Sequence, residues 1–166
     1  IDDPDHDSLE YQLEIRGHEA LSAVKNNPSN QLNDFTTDGC SGGLSVGWQY
    51  LAGKLQKFEQ VHGMQPPWES CCTSHDRNYH SGGGREITAG QSLELRLNAD
   101  RLLKSCVQKK GLERSVELSI AYGISVEEVE SLYSVIANLM YRVVRIGGVP
   151  CSGLPWRWGY GWPDCE

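Results

Sequence analysis

Six cysteines, at positions 40, 71, 72, 106, 151 and 165, constrain this chain of 166 residues more than any other feature. The number is even, none falls in a Cys-x-x-Cys pair, and no Cys–His pattern has the spacing of a zinc finger. Buried free thiols in a cytosolic protein are one explanation. Disulfides formed in an oxidising compartment are the better one, although the chain is longer than the short scaffolds for which that rule is strongest. The sequence begins at Ile1 without a charged leader and apolar core, so any export signal is expected to have been removed or left out. The expectation of a secreted, periplasmic or extracellular protein therefore rests on the cysteines.

Charge narrows the partners. Fifteen Lys and Arg against 22 Asp and Glu leave a net −7, which argues against nucleic acid and against strong attraction to anionic membranes. With 39% apolar residues the chain suits one globular domain, and no apolar run approaches the ~20 residues of a transmembrane helix.

The periodicity predicts a mostly helical single domain over 1–166, without repeat, linker or strand. Residues 1–8, with four Asp, are expected to be frayed. An amphipathic helix is expected from Ser8 to about Asn26, with Leu9, Leu13, Leu21 and Val24 on its apolar face and Gly17 as a weak point. Residues 26–34 read as a loop, and Asp38-Gly-Cys-Ser-Gly-Gly43 as a tight one. A short helix is expected from Trp48 to about His62. The next starts at Pro67 and stops at Gly82-Gly83-Gly84. Another runs from about Ala89 to Lys110, with Gly111 just beyond its end. A last helix, over 125–146, opens with Ser125 and Glu128 as a capping box and carries an apolar stripe from Val126 to Val144. The tail 149–166, with three Trp, three Pro and two Cys, reads as an ordered, stapled loop.

The chemistry is concentrated in Cys71-Cys72-Thr73-Ser74-His75-Asp76-Arg77-Asn78-Tyr79. On a helix Cys71, His75 and Tyr79 share one face, and Cys72 and Asp76 the neighbouring one. A base, a carboxylate and two anchoring thiols thus fall within little more than a turn. A bare His-Asp pair is ordinarily a solvent-facing pair and no more. Three further features weigh against that here. The Gly-rich loop Gly39–Gly43 can turn backbone carbonyls inward, as a hard cation such as calcium requires alongside a carboxylate. Asp100 stands six residues before Cys106 on a helix. The adjacent Cys71 and Cys72 can tie their helix to two partners at once.

With these motifs in place, the sequence resembles the secreted phospholipases A2. The family hallmark, Cys-Cys-x-x-His-Asp with Tyr four after the His, is matched by Cys71 to Tyr79. The calcium loop is matched by Gly39 to Gly43, and the second helix by Asp100, Arg101 and Cys106. The resemblance covers 38–106 and is closer to the bee-venom-like, group XII-like and bacterial branches than to the pancreatic one. It does not extend to the first 30 residues or to the chain from 111 onward. Cys is absent from Arg77 to Gly84, Ala99 stands where the pancreatic type has a Cys, and the loop lacks its common aromatic residue, with Asp38 near that place. Asp38 could join the metal shell or face water, and water is favoured.

The resemblance implies a disulfide-stapled α fold with two antiparallel active-site helices behind a calcium loop. It implies Cys40–Cys72 and Cys71–Cys106 bonds, leaving Cys151 and Cys165 to close the tail. Helix geometry puts His75 and Asp100 at comparable heights, but six residues turn the helix by about 240°, so spacing permits the pair without requiring it. The implied activity is calcium-dependent hydrolysis of the sn-2 ester of glycerophospholipids. His75 would be the general base, Asp100 its orienting carboxylate, and Tyr79 a brace on Asp100 or plain core packing. Asp76 and the backbone oxygens of Gly39, Ser41 and Gly43 would hold Ca2+. The implied partner is a phospholipid aggregate or membrane surface, met peripherally by a monomer. Trp48, Trp68, Trp156, Trp158, Tyr160 and Trp162 could form an interfacial rim, while packing around the tail loop is the alternative for the tail aromatics. A catalytically inactive binding module is the competing reading, and a zinc site on Cys40, Cys71, Cys72 and His75 a third.

Overall fold

The computed structural model describes residues 5–63 and 65–165. Among them there are helices and loops but no strand. Seven α-helices occur: α1 Leu9–Asn26, α2 Val46–Lys54, α3 Phe58–His62, α4 Glu69–His80, α5 Ala89–Glu113, α6 Ser115–Tyr122 and α7 Val126–Gly147. A short 3-10 turn, Gly42–Ser45, leads into α2. The frayed start expected for residues 1–8 lies partly outside the described residues.

The central pair is α5 and α7. α1 and α4 pack on α5, and α2 and α6 on α7. The apolar stripe of α7 explains its place: Val129, Tyr133, Ile136, Met140 and Val144 are all fully buried. They join Leu51 of α2, Phe58 of α3, Leu118 of α6 and Leu103 and Val107 of α5 in the larger core. Leu44, Leu51 and Phe58, from the stretch between the glycine loop and α4, thus supply part of this core. A smaller cluster at the other end holds Leu21, Tyr79, Ala99, Trp158 and Trp162.

Side-chain caps set the starts of α1, α5 and α7. Ser8 accepts a hydrogen bond from the backbone N–H of Tyr11 at 3.1 Å, and Ser125 from that of Glu128 at 3.1 Å. The reciprocal capping box expected at Ser125 forms instead at Thr88 and Gln91, each side chain accepting from the other's backbone N–H. Several boundaries depart from the sequence reading. The helix expected from Trp48 to His62 is two helices, broken at residues 55–57. α4 begins at Glu69 and not at Pro67. α5 runs through Gly111, and Tyr133 presses there so closely that a Cβ would lie 2.4 Å from the Tyr133 Cβ. A small residue is needed at that crossing, and Gly111 marks a contact where the sequence suggested an end. α6 had no sequence signal of its own. On α1, Leu21 is buried, whereas Leu9 and Leu13 are 73% and 58% exposed. The buried face of α1 is carried by His18, Leu21 and Lys25.

Three disulfides form: Cys40–Cys72, Cys71–Cys106 and Cys151–Cys165. No cysteine is free, so the thiol and zinc readings both fail. The last bond closes the tail, which is hydrogen-bonded onto neighbouring helix ends. The N–H groups of Gly159 and Gly161 donate to the carbonyls of Tyr79 and His80, and that of Trp158 to Gly148. Trp68, Trp158 and Trp162 are buried at 0%, 2% and 4% exposure, so they form no lipid-facing rim. Trp48, Trp156 and Tyr160 remain partly exposed.

Candidate active site

α4 and α5 are joined rung by rung. Cys71 pairs with Cys106, His75 with Asp100, and Tyr79 with Arg96. The index rises on one helix as it falls on the other, so the helices run antiparallel. The 240° turn between Asp100 and Cys106 is equally about 120° the other way. The two residues therefore flank the face of α5 that α4 covers, and both rungs form.

His75 Nε2 lies 2.8 Å from Asp100 Oδ1, and the Tyr79 hydroxyl donates to the same oxygen at 2.6 Å. All three side chains are buried. Burial alone would raise the Asp100 pKa, but the His75 hydrogen bond and the Arg96, His75 and Arg145 charges outweigh it and hold it below the usual carboxylate range. An ionised carboxylate only accepts hydrogen bonds. In neutral His75, Nε2 therefore carries the proton and Nδ1 the lone pair, as a general base requires. Burial pushes the Tyr79 hydroxyl well above its ordinary range, with the Asp100 charge adding to it, so Tyr79 stays a donor.

Asp76 sits beside the Gly-rich loop, and Thr37 donates to its Oδ2 at 2.6 Å. Burial raises its pKa to about 6, with the charges of Asp38 and Glu69 adding to the rise against the Thr37 bond and His75. Glu69 reaches back to accept from the Cys40 N–H at 3.3 Å. Gly39 and Gly42 adopt positive φ of 62° and 66°, which lets the loop turn tightly. Gly39, Ser41, His75 and Asp76 line one small cavity together with Asp38, Leu44, Val144 and Trp156. Gly43 is not among its walls and lies instead against the Trp156 indole. Of the three loop residues expected beside Asp76, Gly39 and Ser41 share this cavity with it. Asp38 is exposed, as favoured, yet it also borders this cavity.

No group of three or more His, Cys, Asp or Glu among the described residues is clustered as metal ligands are. A site of one carboxylate and loop carbonyls does not require such a group. The fit to a hard cation rests on Asp76, a buried carboxylate under repulsion from two others, facing a glycine loop.

Trp156 of the tail forms part of the wall of the site. It borders the small cavity and an adjoining cleft of about 270 Å³ lined by Thr36, Thr37, Asp38, Asp76, Pro155 and Tyr160. His75, which shares the small cavity with it, is only 3% exposed.

A second layer, which the sequence reading missed, backs the dyad. Asp100 Oδ2 accepts from Arg96 Nη1 at 3.2 Å and from Arg145 Nη1 at 2.7 Å. Both guanidiniums also hold Glu14 of α1. Glu14 meets His18, whose other nitrogen meets Ser92 Oγ at 2.7 Å, and Ser92 accepts from Trp158 Nε1 at 2.9 Å. The available signals were the i, i+4 pairs Glu14/His18 and Arg96/Asp100. Arg145 offered none, since its partners come from other helices. Compared with protein families, curated proteins and solved structures, the chain matches none of them.

Proposed function

We propose that this protein is a calcium-dependent ester hydrolase of the phospholipase A2 type, cleaving the sn-2 ester of glycerophospholipids. The observation that carries this reading is the buried His75–Asp100 pair at 2.8 Å, with Asp76 one residue on and beside the glycine loop. His75 Nδ1 takes a proton from the attacking water and later returns it to the leaving alcohol. Asp100 fixes the tautomer and stabilises the imidazolium that forms. Tyr79 and the two guanidiniums keep Asp100 ionised and in place. Asp76 with the carbonyls of Gly39 and Ser41 would hold the calcium ion, and Gly43 would join them only if it shifts from Trp156. When bound, calcium supplies charge stabilisation for the ester oxygen. Water is the nucleophile, so no acyl-enzyme accumulates. Three disulfides are compatible with an oxidising, extracellular setting. No helix among the described residues is long and apolar enough to cross a membrane, so contact with lipid would be peripheral.

The exposure of His75, 3%, favours a second reading, a binding module on the same scaffold without turnover. One experiment separates them. Hydrolysis of a mixed phospholipid panel is measured with and without a calcium chelator, for the parent and His75→Gln. The hydrolase reading expects chelator-sensitive release of fatty acid and a loss of at least about 100-fold in the variant. Parent activity absent from every lipid, or a tenth or more of it kept by His75→Gln, overturns the reading.

A further inference from the structure

Four side chains from three helices close a ring behind the dyad. Asp100 binds Arg96 and Arg145 through Oδ2. Glu14 accepts from Arg96 Nε through Oε1 at 2.7 Å and from Arg145 Nη2 through Oε2 at 2.9 Å. Two carboxylates and two guanidiniums sum to zero, so the buried charges compensate one another. Arg96 is further anchored to α7 by donating to the carbonyls of Val144 at 2.8 Å and Arg145 at 2.9 Å.

The ring divides the oxygens of Asp100. Oδ2 is taken by the guanidiniums, which leaves Oδ1 for His75 and Tyr79. A carboxylate torsion is intrinsically broad, so nothing in Asp100 itself fixes its plane. Arg96 stands on the same helix as Asp100, is itself held by Glu14 and the α7 carbonyls, and meets Oδ2 at the longer distance, 3.2 Å against 2.7 Å for Arg145. Arg145 comes from α7 and is itself held by Glu14 of α1, so it references the Asp100 plane to the rest of the fold. We propose that Arg145, locked by Glu14, is a positioning residue that sets the plane of Asp100 and through it the orientation of the His75 ring. This rests on the hydrolase reading for its kinetic consequence, but the geometric claim stands apart from it.

The test uses the full chain with its disulfides intact. Arg145→Gln, Asp100→Asn and the double variant are compared in phospholipid hydrolysis and in melting temperature. Arg145→Gln is expected to lower kcat by about 10- to 100-fold with KM unchanged, as misalignment does. In the Asp100→Asn background it is expected to cost no more than about twofold, because its route to His75 is already cut. Arg145→Lys keeps the charge but makes fewer of the contacts, and is expected to fall between parent and Arg145→Gln. An equal kcat loss in both backgrounds overturns the proposal in favour of plain stapling of the helices. The second readout is the His75 Nε2–H proton resonance, which reports the hydrogen bond to Asp100 whether or not the protein turns over lipid. It is expected downfield in the parent and displaced or broadened in Arg145→Gln, and in Arg145→Lys should the first variant not fold. An unchanged resonance overturns the proposal. A parent without hydrolysis but with a displaced resonance in the variant would sink the hydrolase reading and leave the positioning role standing.

Discussion

The indole of Trp156 lies so close to Gly43 that a Cβ on that glycine would sit 2.6 Å from its ring, and a Cβ on Gly147 would sit 2.3 Å from the same ring. The ring thus packs closely on both the end of the glycine loop and the C-terminus of α7. Because Trp156 borders the cavity that His75 lines, removing the ring is expected to open a path to the base. Trp156→Ala is expected to speed alkylation of His75 by a small haloacetamide several-fold, followed by mass spectrometry. An unchanged rate would show that the indole does not control access.

Asp76→Asn tests the metal site by stability. The Asp76 pKa is raised by burial from 3.8 to about 6, so the folded state holds this proton more tightly than the unfolded chain. Its ionised form therefore weighs against folding above about pH 6, and that cost fades as the pH falls towards 3.8. Without calcium, Asp76→Asn is expected to melt above the parent at neutral pH, with the gap closing in acid. Calcium is expected to raise the melting temperature of the parent and not of the variant. Equal stabilisation of both by calcium would remove Asp76 from the site.

Glu14 contributes to the dependence of stability on acid pH. Burial would raise its pKa, but hydrogen bonds from His18 and Arg96 and the charges of Arg96 and Arg145 outweigh it and lower it from 4.5 to about 2. The stability it contributes is complete above pH 4.5 and is lost as the pH falls towards 2. Glu14→Gln is expected to be less stable than the parent at neutral pH and to lose less stability across that acid range, as read by denaturant titration. Parallel pH curves for the two proteins would contradict the ion-pair account.

Gly111→Ala sets helix propensity against packing. Alanine favours an exposed helix interior by about 1 kcal/mol over glycine. At Gly111 a Cβ would meet Tyr133 at 2.4 Å, and overpacking of that kind costs about 1–3 kcal/mol. The substitution is expected to destabilise. A stabilised Gly111→Ala in urea unfolding would mean that α5 and α7 separate easily at this crossing.

Glycine 111 also marks where reading the sequence stops working. A glycine after two lysines looks like a helix end, and only the approach of Tyr133 from α7 makes it an interior contact. The exposed Leu9 and Leu13 are the same case, since periodicity locates an apolar face without saying how much of it another helix covers.

What the sequence determined by itself was local or written in spacing. The apolar stripe of α7, the Ser125 cap and the stop at Gly82 follow from short-range sterics and hydrogen bonding, which neighbouring residues specify. The spacing of Cys71, His75 and Tyr79 put them on one helix face without any knowledge of what they would meet. The tertiary structure alone decided what met them. It placed Arg145 and Glu14, 131 residues apart in the chain, on the same ring as Asp100, and brought Trp156 of the tail over the loop at Gly43. The sequence carries no mark of these contacts, because a guanidinium acquires its role from whichever carboxylates the helix packing delivers to it.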